Sequence, residues 1–210
     1  FDDGKEGIVA SFAVNAPGTV TVTPLSPLAN SGFTADRKAH CNLTADPDPV
    51  KQTFCPNTTI ADPTNPIIAK DPQAVFPNQF NSALICGGRL YLPNIGAQPE
   101  PPVFFNTNVQ ALVHVVNTST LLQLANLHVN LNNQIKTEVQ PVNPTASLGR
   151  LFGNDVVAID ASANCQTFYI VSRGGNYVIR ATPTGPGGAL SIGAPNVVRF
   201  QTGNIPTGIA

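Results

Sequence analysis

Charge, methionine and tryptophan are what this sequence has least of. Charged residues make up 11% of the 210 positions, and the formal net charge is −1. With this balance of charge, electrostatics do not favour binding to an anionic membrane surface, and we expect no nucleic-acid partner. Methionine and tryptophan are absent. Because the chain starts at Phe1 rather than Met, we expect that a signal peptide was removed or that the chain was trimmed by proteolysis.

Long hydrophobic runs are absent too, since no stretch approaches the roughly 18 apolar residues of a transmembrane helix. Long helices are equally unexpected, because 20 prolines and 17 glycines interrupt the chain. Short apolar runs separated by turn residues remain, and this pattern predicts an all-β fold. At 210 residues the chain is long enough for a domain with a real core.

The same order of short strands occurs twice after residue 80. The first set reads FNSALICGG, RLYLPNIG and NVQALVHVVNT, and the second reads NDVVAIDAS, TFYIVSRGG, NYVIRAT and VVRFQTG. The closing GNIPTGIA would start a third set. Repeats of four short strands predict β-propeller blades, so residues 80–210 are interpreted as blades with the last one incomplete. The alternative fold is a self-contained β-sandwich.

Residues 1–79 are organised differently. Two β-rich runs near residues 8–14 and 19–23, separated by Asn-Ala-Pro-Gly, predict a hairpin. Residues 25–79 hold many prolines and no periodicity, which indicates a long irregular region. Farther along, LHVNLN predicts a strand over 127–131, while 119–126 fits either two helical turns or irregular structure.

Four cysteines are consistent with an oxidising compartment. Cys41 and Cys55 flank a polar loop, and a disulfide between them would pin the irregular region. Cys86 and Cys165 fall in the same turn of successive repeats when the repeats are aligned on their tyrosines, Tyr91 and Tyr169. That alignment predicts a disulfide between neighbouring blades. The alternative for each cysteine is a buried free thiol.

Leu-Tyr-Leu-Pro-Asn followed by Val-Gln-Ala-Leu-Val-His-Val-Val-Asn-Thr resembles the YVTN-type β-propeller repeat, and GNIPTGIA resembles that family's Gly-x-x-Pro-x-Gly start of a blade. The resemblance covers residues 80–210. It implies a secreted or cell-surface scaffold; some such propellers resemble lactonase or quinoprotein enzymes or are fused to c-type cytochromes. The chain departs from the family in holding about two and a half blades, where a ring needs about four to eight. It also lacks Cys-x-x-Cys-His, the usual attachment site of a c-type haem.

One local cluster is a candidate ligand-binding loop, because two glycines permit tight backbone geometry and an arginine can bind a carboxylate in bidentate fashion. The alternative is a hairpin turn between two blade strands. The residues of this candidate loop are Ser172, Arg173, Gly174, Gly175, Asn176 and Tyr177.

Three Asn-x-Ser/Thr sequons, at Asn42, Asn57 and Asn117, are candidate glycosylation sites. No catalytic set, metal site or cofactor motif is marked by spacing. A metal site formed by His40 and Cys41 would compete with the predicted disulfide for Cys41. A calcium site at Asp46-Pro-Asp48 would need further oxygen ligands. Histidines 114 and 128 lie in alternating apolar sequence, which is typical of structural residues.

The sequence therefore predicts a secreted, extracellular or periplasmic module that acts by protein–protein interaction. An incomplete propeller leaves strand edges that template pairing. We expect these edges to be covered by further polypeptide or by a partner subunit, in a homo-oligomer or filament. The alternative is the amino-terminal part of a propeller oxidoreductase or lactonase, possessing catalytic residues outside this chain.

Overall fold

The structure is a computed structural model, and it describes six parts of the chain: residues 7–28, 30–32, 75–97, 108–137, 151–192 and 199–210. Within these parts the protein is all-β, and the strands pair in antiparallel orientation. The described helices are short, namely one turn of 3-10 helix, Ala125–Leu127, and α1, Leu131–Ile135. No described helix is long and apolar enough to cross a membrane.

A hairpin of two strands, β1 (Gly7–Ala13) and β2 (Ala16–Leu25), begins the described chain. The sequence predicts this hairpin but misplaces its turn. Ala13 pairs with Ala16, so the turn is the Val14–Asn15 dipeptide, and the Pro-Gly pair predicted to form the turn belongs to β2.

The first of two larger sheets is a meander in which neighbouring strands follow chain order. Two of its strands lie end to end along a third, since Phe76 pairs with Ala97 and Cys86 pairs with Arg89. Five strands therefore occupy four positions in the sheet. They are β3 (Phe76–Phe80), β4 (Leu84–Cys86), β5 (Arg89–Ala97), β6 (Val109–Asn117) and β7 (Val129–Asn130).

The second sheet is also a meander with four positions, but here the last two strands, rather than the first two, share one position. Its last two strands pair with opposite ends of the same neighbour, Leu190 with Pro183 and Gln201 with Tyr177, so five strands again occupy four positions. The strands are β8 (Val156–Ala161), β9 (Phe168–Ser172), β10 (Tyr177–Pro183), β11 (Leu190–Ser191) and β12 (Arg199–Gln201).

The two sheets pack face to face, with β8 against β4 and β5. Tyr91 of the first sheet contacts Phe168 of the second, with ring centroids 4.6 Å apart. Tilted aromatic pairs of this kind contribute about 1 kcal/mol beyond the burial of their area. Valines of β6 and isoleucines of β9 and β10 complete this shared core.

Further layers cover the outer faces of both sheets. On the first sheet, Leu25 at the end of the hairpin packs against Leu92 and Val116. On the second sheet, Ile209 of the C-terminal segment (residues 202–210) packs against the cluster that contains Val157 and Val171. The layers therefore follow chain order: hairpin, first sheet, second sheet, C-terminal segment.

A buried amide network fixes the segment after β6. The Gln110 side-chain oxygen accepts hydrogen bonds from Asn130 (3.0 Å) and Asn132 (3.2 Å). Asn132 also donates to the Gly153 carbonyl (2.8 Å) and accepts from the Gly153 N–H, while Asn130 donates to the Ser31 carbonyl. These bonds satisfy amides that would be costly to bury alone, and they tie α1 to the start of the second sheet.

The strand predictions are correct in order but differ from the structure in four places besides the hairpin turn. Only Val129–Asn130 of the strand predicted for 127–131 forms, because the asparagines around it form the amide network and cap α1. The predicted inner strand of a third blade at 203–210 is not a strand in this structure. Conversely, residues 76–79, assigned to the irregular region, form most of β3, and Leu190–Ser191, which lie between two predicted strands, form β11.

Candidate functional site

The candidate ligand loop, residues 172–177, connects β9 to β10. Arg173 pairs with Asp155 in bidentate fashion, Nε to Oδ2 at 2.5 Å and Nη2 to Oδ1 at 3.2 Å. This contact raises the pKa of the guanidinium above its usual value through the hydrogen bond and the carboxylate charge. The arginine that made the loop a candidate is therefore engaged within the same sheet.

The rest of the loop is bound to neighbouring backbone. Ser172 Oγ donates to the Asn154 carbonyl (2.8 Å), and the Ile205 N–H donates to Asn176 Oδ1 (2.8 Å). Asn176 has φ 56°, the left-handed conformation that Asn tolerates better than most residues. At Gly175, a Cβ atom would lie 2.4 Å from the ring of Tyr177. These contacts describe a structural hairpin turn that also anchors the C-terminal segment.

Cys86 and Cys165 form a disulfide, with their Cα atoms 5.8 Å apart. Cys86 ends β4 and Cys165 lies in the β8–β9 turn, so the disulfide joins the same turn of the two meanders, as the alignment of the two tyrosines predicts. A disulfide between sheets is compatible with an oxidising, extracellular or periplasmic compartment.

An open cleft of about 600 Å³ lies beside this disulfide, between the two sheets. The Arg89 side chain lies against Gly187, where a Cβ atom would be 2.3 Å from the guanidinium. The other polar side chains of the cleft belong to Tyr91, Asn164 and Gln166. Asn164 Oδ1 accepts hydrogen bonds from the Gln166 N–H and from Ser162 Oγ. These two bonds stabilise the turn and occupy the side-chain oxygen of Asn164.

His114 and His128 lie together beneath the end of the hairpin, with ring centroids 4.2 Å apart. Asn94 donates to the Leu92 carbonyl and, through the same amide nitrogen, to His114 Nδ1 at 2.8 Å. The His114 ring therefore accepts at Nδ1 and carries its proton on Nε2, which donates to the Ser26 carbonyl at 3.1 Å. His114 thus holds β2 on the first sheet.

Gln123 fixes the second histidine in the same way. Its side-chain oxygen accepts from the Ser26 N–H (2.8 Å), so its amide nitrogen faces and donates to His128 Nδ1 (3.2 Å). Burial lowers the pKa of His114 to about 4. Burial and the neighbouring His114 lower that of His128 to about 4. Both rings are neutral at pH 7, which fits a structural role as the sequence predicts.

Asn117, the glycosylation candidate within the described chain, ends β6. Its side-chain oxygen accepts from the N–H groups of Ser119 and Thr120, both at 2.9 Å. The sequon therefore forms a turn at the surface, where Ser119 and Thr120 are exposed.

The remaining candidates lie outside the described residues. In the parts of the chain that the structure describes, no three His, Cys, Asp or Glu side chains come close enough to share a metal ion. The candidates outside the described residues are His40, Cys41, Asn42, Asp46, Asp48, Cys55 and Asn57.

Sequence reasoning missed two exposed apolar surfaces at the ends of the layered structure. The hairpin face is the outward side of β1 and β2 and consists of Ile8, Ala10, Phe12, Val20 and Val22. The end face, on the outer side of the second sheet and its C-terminal segment, consists of Tyr169, Phe200 and Ile205. The alternation of threonine and valine in TVTVT is the signal that could have identified the first surface.

No family model matches the chain, and neither a curated protein nor a solved structure matches it. The interpretation of function therefore rests on the layered sheets, their two apolar end surfaces and the disulfide between them.

Proposed function

We propose that the protein is a secreted or cell-surface module of the β-propeller type, of the kind that the YVTN-like repeats imply, and that it acts by packing against other protein surfaces. Its sheets are blades, and the two apolar surfaces at the ends of the layers are where further polypeptide or a partner subunit continues the arrangement.

The observation that carries this proposal is that equivalent residues of the two meanders face the same way. Tyr91 points into the core shared with the second sheet. Its equivalent, Tyr169, lies between Phe168 and Ile170, which both point back towards the first sheet. Because strand side chains alternate, Tyr169 points onward, away from the first sheet and next to Phe200.

The opposite faces agree with this relation. Leu92 faces backward to Leu25 of the hairpin, and its equivalent, Ile170, faces backward to the first sheet. On the third strands, Val113 faces onward into the shared core, and its equivalent, Val178, packs in the outer cluster with Val171. Successive sheets with one common direction are expected of blades that follow one another around an axis.

A two-layer sandwich predicts a different pattern of burial for the same strands. Its sheets turn their inner faces to each other and expose outward faces with polar residues in alternation. In β6 the seven consecutive residues from 110 to 116 are all buried, and Leu112, His114 and Val116 lie on the face opposite the shared core. Burial on both faces favours the stacked arrangement over a sandwich.

The mature protein, isolated from its source, tests the proposal through intact mass and light scattering. We expect a species heavier than 22.0 kDa, the mass of this chain, either as an assembly or as a longer polypeptide. A monodisperse 22 kDa monomer would contradict the proposal. An absorption spectrum of the same sample addresses the enzyme alternative, because a haem band would assign the module to a redox enzyme.

A further inference from the structure

The hairpin face is a continuous apolar surface that the rest of the described chain leaves open. Phe12 pairs with Val20, and Ala10 pairs with Val22, so their side chains share one side of the hairpin. Phe12 is 59% exposed and Val22 is 57% exposed. The other side of the hairpin carries Leu25, which is buried on the first sheet. Two-stranded hairpins are marginally stable unless a face is packed, and exposed apolar patches mark protein contacts.

The end face is its counterpart at the other end of the layers. Phe200 is 47% exposed and Ile205 is 66% exposed. The Phe200 ring lies 6.3 Å from that of Tyr169, which points onward from the second sheet. We call the side of a layer that points towards later layers in the chain its onward face, and the opposite side its backward face. The end face is then an onward face, and the hairpin face is a backward face. The two sheets contact each other through one onward face and one backward face, and the chain exposes one apolar face of each kind at its two ends.

We propose that the hairpin face of one copy binds the end face of a second copy, head to tail. This inference rests on the proposed function, since it extends the same face-to-face order of sheets across copies. An onward face meets a backward face inside the chain, where Tyr91 and Val113 pack against Phe168 and Ile170. A head-to-tail contact repeats that relation between copies.

Charge and area are compatible with a second copy as the partner. Residues 7–28 contain no charged side chain. On the end face, Arg180 and Asp160 are the cross-strand neighbours of Tyr169 and carry opposite charges. The net charge of −1 provides little repulsion between copies. The five side chains of the hairpin face offer roughly 500 Å² and the three of the end face roughly 300 Å², so the contact would bury about 800 Å² in total, the area of a weak, transient interface. We therefore expect a dissociation constant on the order of 100 μM.

Sedimentation velocity of the full chain, from about 1 to 200 μM, tests the proposal. We expect the weight-average mass to rise with concentration beyond that of a monomer. Phe12→Lys and Ile205→Lys, one on each face, should each weaken self-association at least tenfold, because each buries a charge in an apolar contact. Ile85→Lys is the matched control. Its side chain is 69% exposed on β4, a strand that contributes to neither face, and its variant should associate like the parent.

A mixture of the two variants separates head-to-tail binding from hairpin-to-hairpin binding. Phe12→Lys keeps its end face and Ile205→Lys keeps its hairpin face, so an equimolar mixture should form a one-to-one complex that neither variant forms alone. Circular dichroism and thermal melting of each variant establish that it is folded; if one is not, Val22→Lys replaces the first and Phe200→Lys the second.

Three outcomes would overturn the proposal: a monomeric parent throughout the concentration range, folded variants that associate like the parent, or a mixture that stays monomeric. The proposed function survives these outcomes if the protein from its source is still heavier than 22.0 kDa, because its partner is then another protein or further polypeptide.

Discussion

The double variant Cys86→Ser/Cys165→Ser is expected to lose about 4 kcal/mol of unfolding free energy relative to the parent. The two cysteines are 79 residues apart in sequence. In the loop-entropy model, a bridge of that span restricts the unfolded chain by about 4.5 kcal/mol, and measured losses for native disulfides are about 2–5 kcal/mol. The disulfide also joins the turns of two sheets, so its loss removes a covalent tie across the shared core.

Urea unfolding followed by circular dichroism measures this loss. The midpoint of the double variant should fall by well over 1 M if the slope is about 2 kcal/mol per molar urea. The control is Ala163→Ser, which adds a hydroxyl in the same exposed turn without breaking the bridge. Equal midpoints for the parent and the double variant would show that the bridge does not constrain the unfolded chain.

Acidification is expected to destabilise the protein through His114 and His128. Burial lowers the pKa of each from 6.5 to about 4, so between these values the unfolded chain binds protons that the folded protein does not. Stability therefore falls as the pH drops from 6.5 to about 4, and these groups contribute no further loss below that window. His114 contributes a loss of about 3 kcal/mol, and His128 adds less than this because it is less buried and its interactions are more screened by solvent.

Equilibrium unfolding at pH 7, 6 and 5 measures this dependence before most carboxylates titrate. A His114→Gln variant is expected to be less stable than the parent at pH 7, because the bond to Ser26 is altered, but to lose less stability on acidification. If the parent is equally stable at pH 7 and pH 5, or if the variant shows the same slope, the two rings are not buried in neutral form.

The order of strands could be predicted from sequence because each apolar run carries its own signal. RLYLPNIG and NVQALVHVVNT form β5 and β6, and the hairpin forms close to the predicted runs. The pairing of Cys86 with Cys165 follows from the repeat alone. These features depend on local pattern or on the alignment of one repeat with another.

What could not be predicted depends on partners distant in sequence. The Phe-Pro-Asn-Gln-Phe run resembles a loop, yet it becomes β3 because the distal half of β5 offers a pairing edge. The asparagines around α1 look like strand residues in alternation, but Gln110 and Gly153 bind their amides. The ion pair between Arg173 and Asp155 could not be predicted either, because no local pattern links two residues 18 positions apart.

The candidate surfaces were missed for a related reason. Alternation in the hairpin shows that one side is apolar, but not which side faces the first sheet. Thr23 is buried and donates to the Leu121 carbonyl at 2.6 Å, which turns the threonine side inward and leaves Phe12 and Val20 outward. That choice depends on the segment after β6, almost a hundred residues away.

Thiol labelling of single-cysteine additions tests the layered arrangement most directly. Leu92→Cys and Val113→Cys place thiols on opposite faces of the first sheet, and Ile85→Cys places one at an exposed position. In native buffer, with the parent as background, we predict that Ile85→Cys reacts at once and that both other thiols react only as fast as the protein opens. Rapid labelling of Leu92→Cys with protection of Val113→Cys would show a two-layer sandwich and contradict the stacked sheets on which the account rests.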